Sequence, residues 1–282
     1  MDHAHPIKKM AKLGLNQLQR FQVELEQGLG IIDYPVPPNS SMRKTSSRSI
    51  RHYYISGIQT VMPIVTCALH QGIALNERIR ILDFGCGVAR QLLHFTRRYP
   101  NPAYYACDVD ETSIAFVQKA YPQVEAYVNA FHPPLKYLDA SFDLIYSVSI
   151  FSHLNREDQK SWLAELARVV KPGGYCFLTT EGMAAMGHLT STFGMEEAAC
   201  ARKLAEQGIL YKEYDFLHDS IKNQNTFKVA SLLVGIEGSY GNTVVAPEYI
   251  RSEWTNADFE VVQIIEGIID YRQDLVILRR KR

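Results

Sequence analysis

Apolar side chains recur along this chain with two different periods. Near the start, Met10, Leu13, Leu15, Leu18, Phe21 and Leu25 fall at spacings that predict one amphipathic helix over residues 8–29. The Pro- and Ser-rich stretch "DYPVPPNSSMRKTSSRS" then reads as an extended connector, and a second helical pattern runs from about Ile50 to Leu75. From Arg80 the texture changes. Short apolar runs ("RILDF", "AYYACD", "VEAYVN", "FDLIYSVS", "GYCFLTT") alternate with helical patterns ("ARQLLHFTRRY", "ETSIAFVQKAY", "REDQKSWLAELARVV"). That alternation predicts right-handed βαβ units and a mostly parallel sheet covered by helices on both faces. "KPGG" at 171–174 stops a helix, since Pro cannot continue it and the glycines permit a turn.

Residues 181–258 are less regular, with helical patches around 195–207 and 211–231 and then the turn-rich "IEGSYGNTVVAPEY". The chain closes with "FEVVQIIEG" and "QDLVILRRK", two strand candidates separated by a short connection. A parallel pair needs a crossover of a dozen or more residues, so these two are expected to be antiparallel.

The length of 282 residues suits one elaborated domain, or a core of about 200 residues with additions. Thirty basic residues balance thirty acidic ones, so no general field attracts nucleic acid or an anionic membrane. No apolar run approaches the roughly 20 residues of a membrane span. "MDHAHPIKKMAKLG" lacks the apolar core and cleavage site of a signal peptide. Cys67, Cys86, Cys107, Cys176 and Cys200 are scattered and form no C-x-x-C pair. Buried free thiols in a reducing compartment, the cytoplasm, are expected, with neither disulfides nor a metal site.

The chemistry starts at "ILDFGCGVAR". The strand Ile81–Phe84 runs into Gly85 and Gly87, and a helix is expected to begin near Val88. Glycines there let a backbone approach a ligand closely, although a plain strand-to-helix turn would look the same. The end of the next strand adds Asp108, whose carboxylate can accept from both ribose hydroxyls of an adenosine moiety. Asp108 could instead cap the helix starting near Glu111, a job for which Asp110 is better placed. Arg90 occupies the position where a dinucleotide fingerprint has its third small residue. S-adenosylmethionine carries a sulfonium, an amino-acid head and a ribose but no pyrophosphate, so Asp83 becomes useful for contacts around an ammonium group.

On these residues the sequence resembles the class I S-adenosylmethionine-dependent methyltransferases, most closely over residues 78–180. "LDFGCG" resembles the family's first motif and "ACDVD" its second-strand acid. "PPLKYLDASFDLIYSVSIFSHL" with "WLAELARVVKPGGYCFLTT" resembles its fourth strand, helix and fifth strand, and the closing pair resembles strands six and seven. "VPPNSSMRKTSSRSIRHYYISG" is similar to the leader that precedes the domain in one bacterial subgroup. The resemblance implies a Rossmann-like α/β fold. Its seven-stranded sheet is mostly parallel, with the last strand antiparallel. A helical extension would occupy residues 1–76 and the methyltransferase domain 77–282, with 181–258 as an insertion covering the acceptor.

Carried over position by position, the resemblance implies a methionine side lined by Asp83, Gly85 and Gly87, with Cys86 and Arg90 in the same turn. Asp108 would hold the ribose and Val109 would lie against the adenine. Asn129, with Ala130, would meet the adenine amino group; many members have Asp there, so Asn129 would use its side-chain carbonyl. Ser147 and Ser149 would stand near the delivered methyl group. Ala89 departs from the common third glycine.

His153 in "FSHL" fits two roles, a proton acceptor suited by an ordinary pKa near 6.5, or a brace for the helix beginning near Asn155. Glu181 and His188 follow the fifth strand and either face the acceptor or are solvated loop residues. Tyr240 in "GSYGNT" either lines the pocket or belongs to a turn, whereas Trp254, Phe131, Tyr137 and the tyrosine pairs at 53–54 and 104–105 are expected in the core. The reaction implied is in-line displacement onto an oxygen or nitrogen, where alignment alone can supply about 7–11 kcal/mol. The Asn/Asp-Pro-Pro-aromatic motif of amino-methylating DNA enzymes is replaced by "SVSIFS", and the Pro-Cys of cytosine-C5 enzymes is absent. A small-molecule acceptor is therefore expected over nucleic acid, with no membrane span, for a monomer or a homodimer. Two rivals stand beside this reading, a non-catalytic S-adenosylmethionine-binding sensor or scaffold and a nicotinamide-dependent oxidoreductase.

Overall fold

The structure, a computed structural model, describes residues 26, 29–30, 32–44, 47, 49–214 and 240–282. The helix expected over 8–29 lies almost wholly outside the described residues, as does 215–231 of the helical patch at 211–231.

Five strands form the parallel part of the sheet in the order β3-β2-β1-β4-β5: β1 (Arg80–Phe84), β2 (Ala103–Asp108), β3 (Glu125–Val128), β4 (Phe142–Ser147) and β5 (Val170–Glu181). The closing pair, β8 (Phe259–Ile269) and β9 (Gln273–Arg280), is antiparallel, and β9 also runs antiparallel to β5. This is the seven-stranded sheet expected from the resemblance. Strand order reverses between β1 and β4, which opens a crevice beyond the carboxyl ends of those strands, where ligands of open α/β sheets bind.

Two further strands were not legible in the local pattern. β6 (Ile209–Glu213) and β7 (Gly241–Val245) form an antiparallel ribbon that joins the sheet through the single Glu181–Val244 pairing. Residues 211–213 therefore lie in a strand where the periodicity suggested a helix. Their partner is β7, far along the chain, and strand pairing with a distant segment leaves no trace in a short window.

The helices follow their local signals. α1 spans Asn39–Lys44 and α2 spans Ile50–His70, where the Ser49 hydroxyl accepts from the His52 amide at 3.1 Å. α3 (Leu92–Arg98) and α4 (Glu111–Ala120) follow β1 and β2, and α5 (Arg156–Val169) precedes β5 with Asn155 as its cap. Residues 181–258 add α6 (Met186–Phe193), α7 (Glu197–Gln207), which is the helical patch expected at 195–207, and α8 (Pro247–Glu253).

Side chains of β1 point alternately to two cores. Ile81 joins the core under α2 and α3, while Leu82 and Phe84 join the core under α5. Each such side chain contributes about 1.5–3 kcal/mol when fully buried. Trp254, Tyr53, Tyr104 and Tyr137 are buried as expected, and the five cysteines are buried and unpaired. Phe131 is only half-buried and lies at the edge of the site described below. Among the described residues no helix is long and apolar enough to cross a membrane.

Candidate functional site

The turn after β1 is built from left-handed residues, Gly85 (φ 79°), Gly87 (φ 50°) and Ala89 (φ 61°). The amides of Gly85 and Cys86 both donate to the Cys107 carbonyl, at 2.9 and 3.0 Å. The Gly87 amide donates to Asp108 Oδ2 at 2.8 Å, and the Asp110 amide to Asp108 Oδ1 at 2.9 Å. Asp108 thus ties the glycine turn to the end of β2. Asp110 caps α4, accepting from Thr112 and Ser113. Ala89 corrects one expectation. A left-handed alanine interrupts helical geometry, so 88–91 form turns and α3 begins at Leu92 rather than near Val88.

A Cβ on Gly85 would land inside the Ile150 side chain. Gly85→Ala is therefore expected to lose about 1–2 kcal/mol from the left-handed backbone alone, read as a lowered midpoint in chemical denaturation.

Beneath the turn, Asp83 is 2% exposed and accepts from the Tyr146 hydroxyl at 2.9 Å. Burial, reinforced by the charge of Asp108, pushes its carboxyl up to about 8, against the opposing effects of the Tyr146 hydrogen bond and Arg90. Arg90 donates to Ser56 Oγ at 3.3 Å, and its buried Nε has no partner. α2 braces this corner: Tyr53 donates to the Val88 carbonyl at 2.8 Å, and a Cβ on Gly57 would meet the Arg90 carbonyl at 2.6 Å. The Cys86 thiol is pushed well up by burial and the nearby carboxylates, so it stays a thiol.

Asn129 is buried and fixed: its Nδ2 donates to the Ala130 carbonyl at 2.7 Å, which leaves Oδ1 a buried acceptor without a partner. Val109 is half-buried and Ala130 exposed. Ser147 is placed differently from the other residues of this group. It is fully buried and donates to the Phe84 carbonyl at 2.8 Å, so its hydroxyl joins β4 to β1 and does not face the crevice.

On the far side of the crevice, residues 152–154 pair with the start of β7. Thr243 donates its amide to the Ser152 carbonyl at 2.8 Å and its hydroxyl to the Leu154 carbonyl at 2.7 Å. His153 Nδ1 lies 2.8 Å from the Gly241 carbonyl oxygen, and its ring stacks on Tyr240 with centroids 5.0 Å apart. Burial lowers the imidazole pKa, with Arg272 adding to it and the Gly241 carbonyl and Glu181 opposing, which favours the neutral ring. Glu181 is buried and paired with Arg272 at 2.6 Å. Burial above all, with the neighbouring Tyr214 phenol and the Asp108 carboxylate adding to it, raises the Tyr240 phenol, which makes it a hydrogen-bond donor and not a base.

The three residues offered by the sequence as catalytic candidates thus meet at one end of the sheet. Sequence reasoning missed Tyr214, Arg272 and Gln273. Tyr214 closes β6, read as helix, and packs near both His153 and Tyr240. Arg272 sits in the short β8–β9 connection, and Gln273 opens β9, where it hydrogen-bonds with Ser149 and Thr179. The side chain of His188 lies outside the described residues.

The fold and this turn define a nucleotide-cofactor α/β domain, and comparison with known proteins gives its family. Residues 81–174 match a methyltransferase domain. An uncharacterised protein of Rickettsia prowazekii is 26% identical over 204 residues, 67% of this chain and 79% of the relative. A probable S-adenosylmethionine-dependent methyltransferase of Mycobacterium tuberculosis is 32% identical over 111 residues, 36% of this chain and 35% of the relative. The chain thus spans about a third of that curated relative. Among solved structures, an S-adenosylmethionine-dependent methyltransferase from Methanosarcina mazei superposes with a TM-score of 0.51 at 16% identity, covering 78% of this chain and 97% of the other. A Pyrococcus horikoshii protein gives 0.52 at 15% identity, covering 81% and 91%. Residues 81–174 carry a class I S-adenosylmethionine-dependent methyltransferase domain. Its cofactor is S-adenosylmethionine and its reaction class is methyl transfer.

Proposed function

We propose that this protein methylates an oxygen or nitrogen of a small molecule that must lose one proton, with His153 as the base. The observation that carries this reading is the His153 imidazole held through Nδ1 against the Gly241 carbonyl at 2.8 Å, with burial lowering its pKa and so favouring the ring that can take a proton. A carboxylate acceptor would need no such base, whereas a hydroxyl or an amine does.

The residues of the crevice fit the cofactor. Asn129 Oδ1 is a buried acceptor lacking a donor, which suits the adenine amino group. Asp108, held from two sides by backbone amides, offers carboxylate oxygens to ribose hydroxyls. Asp83 and Arg90 put an acid and a cation beneath the glycine turn, complementary to an ammonium and a carboxylate. When bound, S-adenosylmethionine supplies an electrophilic methyl group on a sulfonium. The chain's own residues then align the acceptor, exclude water and take its proton at His153. Tyr240 donates a hydrogen bond, and the Glu181–Arg272 pair holds the wall beside the base.

Asp83 makes a pH prediction. With its carboxyl near 8, it is protonated at pH 7, and an ammonium beside it favours the carboxylate. Cofactor binding at pH 7 is therefore expected to release close to one proton, and affinity to rise with pH up to about 8 and then level off. Calorimetry of S-adenosylhomocysteine in two buffers of different ionisation enthalpy reads the proton count, and Asp83→Asn should abolish it.

The acceptor class is tested by transfer of a labelled methyl group to a panel of small alcohols, phenols and amines. Transfer to at least one of them is expected. Transfer to RNA alone, with none to the panel, would overturn the small-molecule reading. Product formation of any kind disposes of a purely scaffolding role.

A further inference from the structure

Resting on the reading of His153 as the base, we infer that Gly241 is its positioning residue, so that the β6–β7 ribbon sets which imidazole nitrogen faces the reaction. A carbonyl oxygen has no hydrogen to give. The 2.8 Å contact between His153 Nδ1 and the Gly241 carbonyl therefore requires the hydrogen on Nδ1 and leaves the lone pair on Nε2. The same glycine's amide donates back to the His153 carbonyl at 2.9 Å, so Gly241 grips both the ring and the backbone of the base.

The neighbours support that assignment. The Tyr214 hydroxyl stands 3.4 Å from Nδ1 but donates to Asn242 Oδ1 at 3.1 Å, so its hydrogen is directed away from the imidazole. Tyr240 stacks on the ring with an interplanar angle of 25° and fixes its plane. Phe131 packs edge-on to Tyr240 at 6.3 Å, which connects the base to the segment that follows Asn129. Position 241 admits no side chain, because a Cβ there would run into the Lys212 carbonyl on β6. The glycine thus lets β6 and β7 pair closely, and that pairing puts its carbonyl where Nδ1 meets it. In sequence, Gly241 lies 88 positions from His153, and only the ribbon brings the two together.

The test is the tautomer of His153, read by long-range proton–nitrogen correlation NMR on the uniformly nitrogen-labelled full chain bound to S-adenosylhomocysteine. The resonance is assigned by its loss in His153→Gln. The expected spectrum has a protonated Nδ1 and an unprotonated Nε2 at pH 7. A protonated Nε2 in the wild type would overturn the inference without any variant being needed. Gly241→Ala that still binds S-adenosylhomocysteine should lose the single Nδ1–H pattern, and its retention would contradict the role given to Gly241. Tyr214→Phe should keep the pattern, since the carbonyl and not the phenol holds the hydrogen; a changed tautomer there would also contradict it. Failure of the base reading looks different: His153→Gln would transfer methyl groups at the wild-type rate while the wild-type tautomer stayed as stated.

Discussion

Replacing Asp108 with alanine is expected to weaken S-adenosylhomocysteine binding by more than tenfold. The carboxylate has two tasks that no neighbour duplicates. It fixes the glycine turn through the Gly87 amide and the entry to α4 through the Asp110 amide, and in the proposed binding mode it accepts from the ribose hydroxyls. A hydrogen bond to a charged group is worth about 1.5–3 kcal/mol, so loss of the ribose contact alone accounts for a tenfold effect. Asp110→Ala is the control. It removes the α4 cap and about 1 kcal/mol of stability while leaving cofactor affinity close to wild type. Calorimetry on both variants separates the tasks. Unchanged affinity in Asp108→Ala would mean that the ribose lies elsewhere.

The second large effect is expected at His153. His153→Gln keeps a polar side chain of similar reach but removes the base, and turnover should fall by about 10²–10⁴-fold, with S-adenosylhomocysteine affinity unchanged. The pH profile carries an independent sign. Burial lowers the imidazole pKa below its ordinary 6.5, and only the neutral ring can take a proton. Activity should therefore fall in acid solution with a midpoint below 6.5. A midpoint above 6.5 would place the working base elsewhere.

The sequence was most readable where a residue's task is set by its immediate neighbours. The parallel strands and the Asp110 cap follow from short motifs whose geometry is nearly closed within one βα unit. The closing hairpin was legible because its connection is too short for a crossover. What escaped was set by pairings across long stretches of chain. β6 looks helical until β7 supplies its ladder, so Tyr214 was overlooked with it. Arg272 reads as a turn residue, and only the β5–β9 register brings it to Glu181. Ser147 shows the converse. Its position at the end of β4 suggested a face toward the methyl group, but strand alternation turns its hydroxyl onto β1. Ala89 is a subtler case. Substituting the common third glycine did not abolish the left-handed turn; the turn persisted and the helix began later.

The most direct test of the account is a crystal structure of the protein with S-adenosylhomocysteine. The ribose hydroxyls are expected on Asp108, the adenine amino group on Asn129 Oδ1, the amino-acid head between Asp83 and Arg90, and the sulfur on the side of His153 Nε2. A cofactor whose ribose avoids Asp108, or whose sulfur faces away from His153, would contradict it.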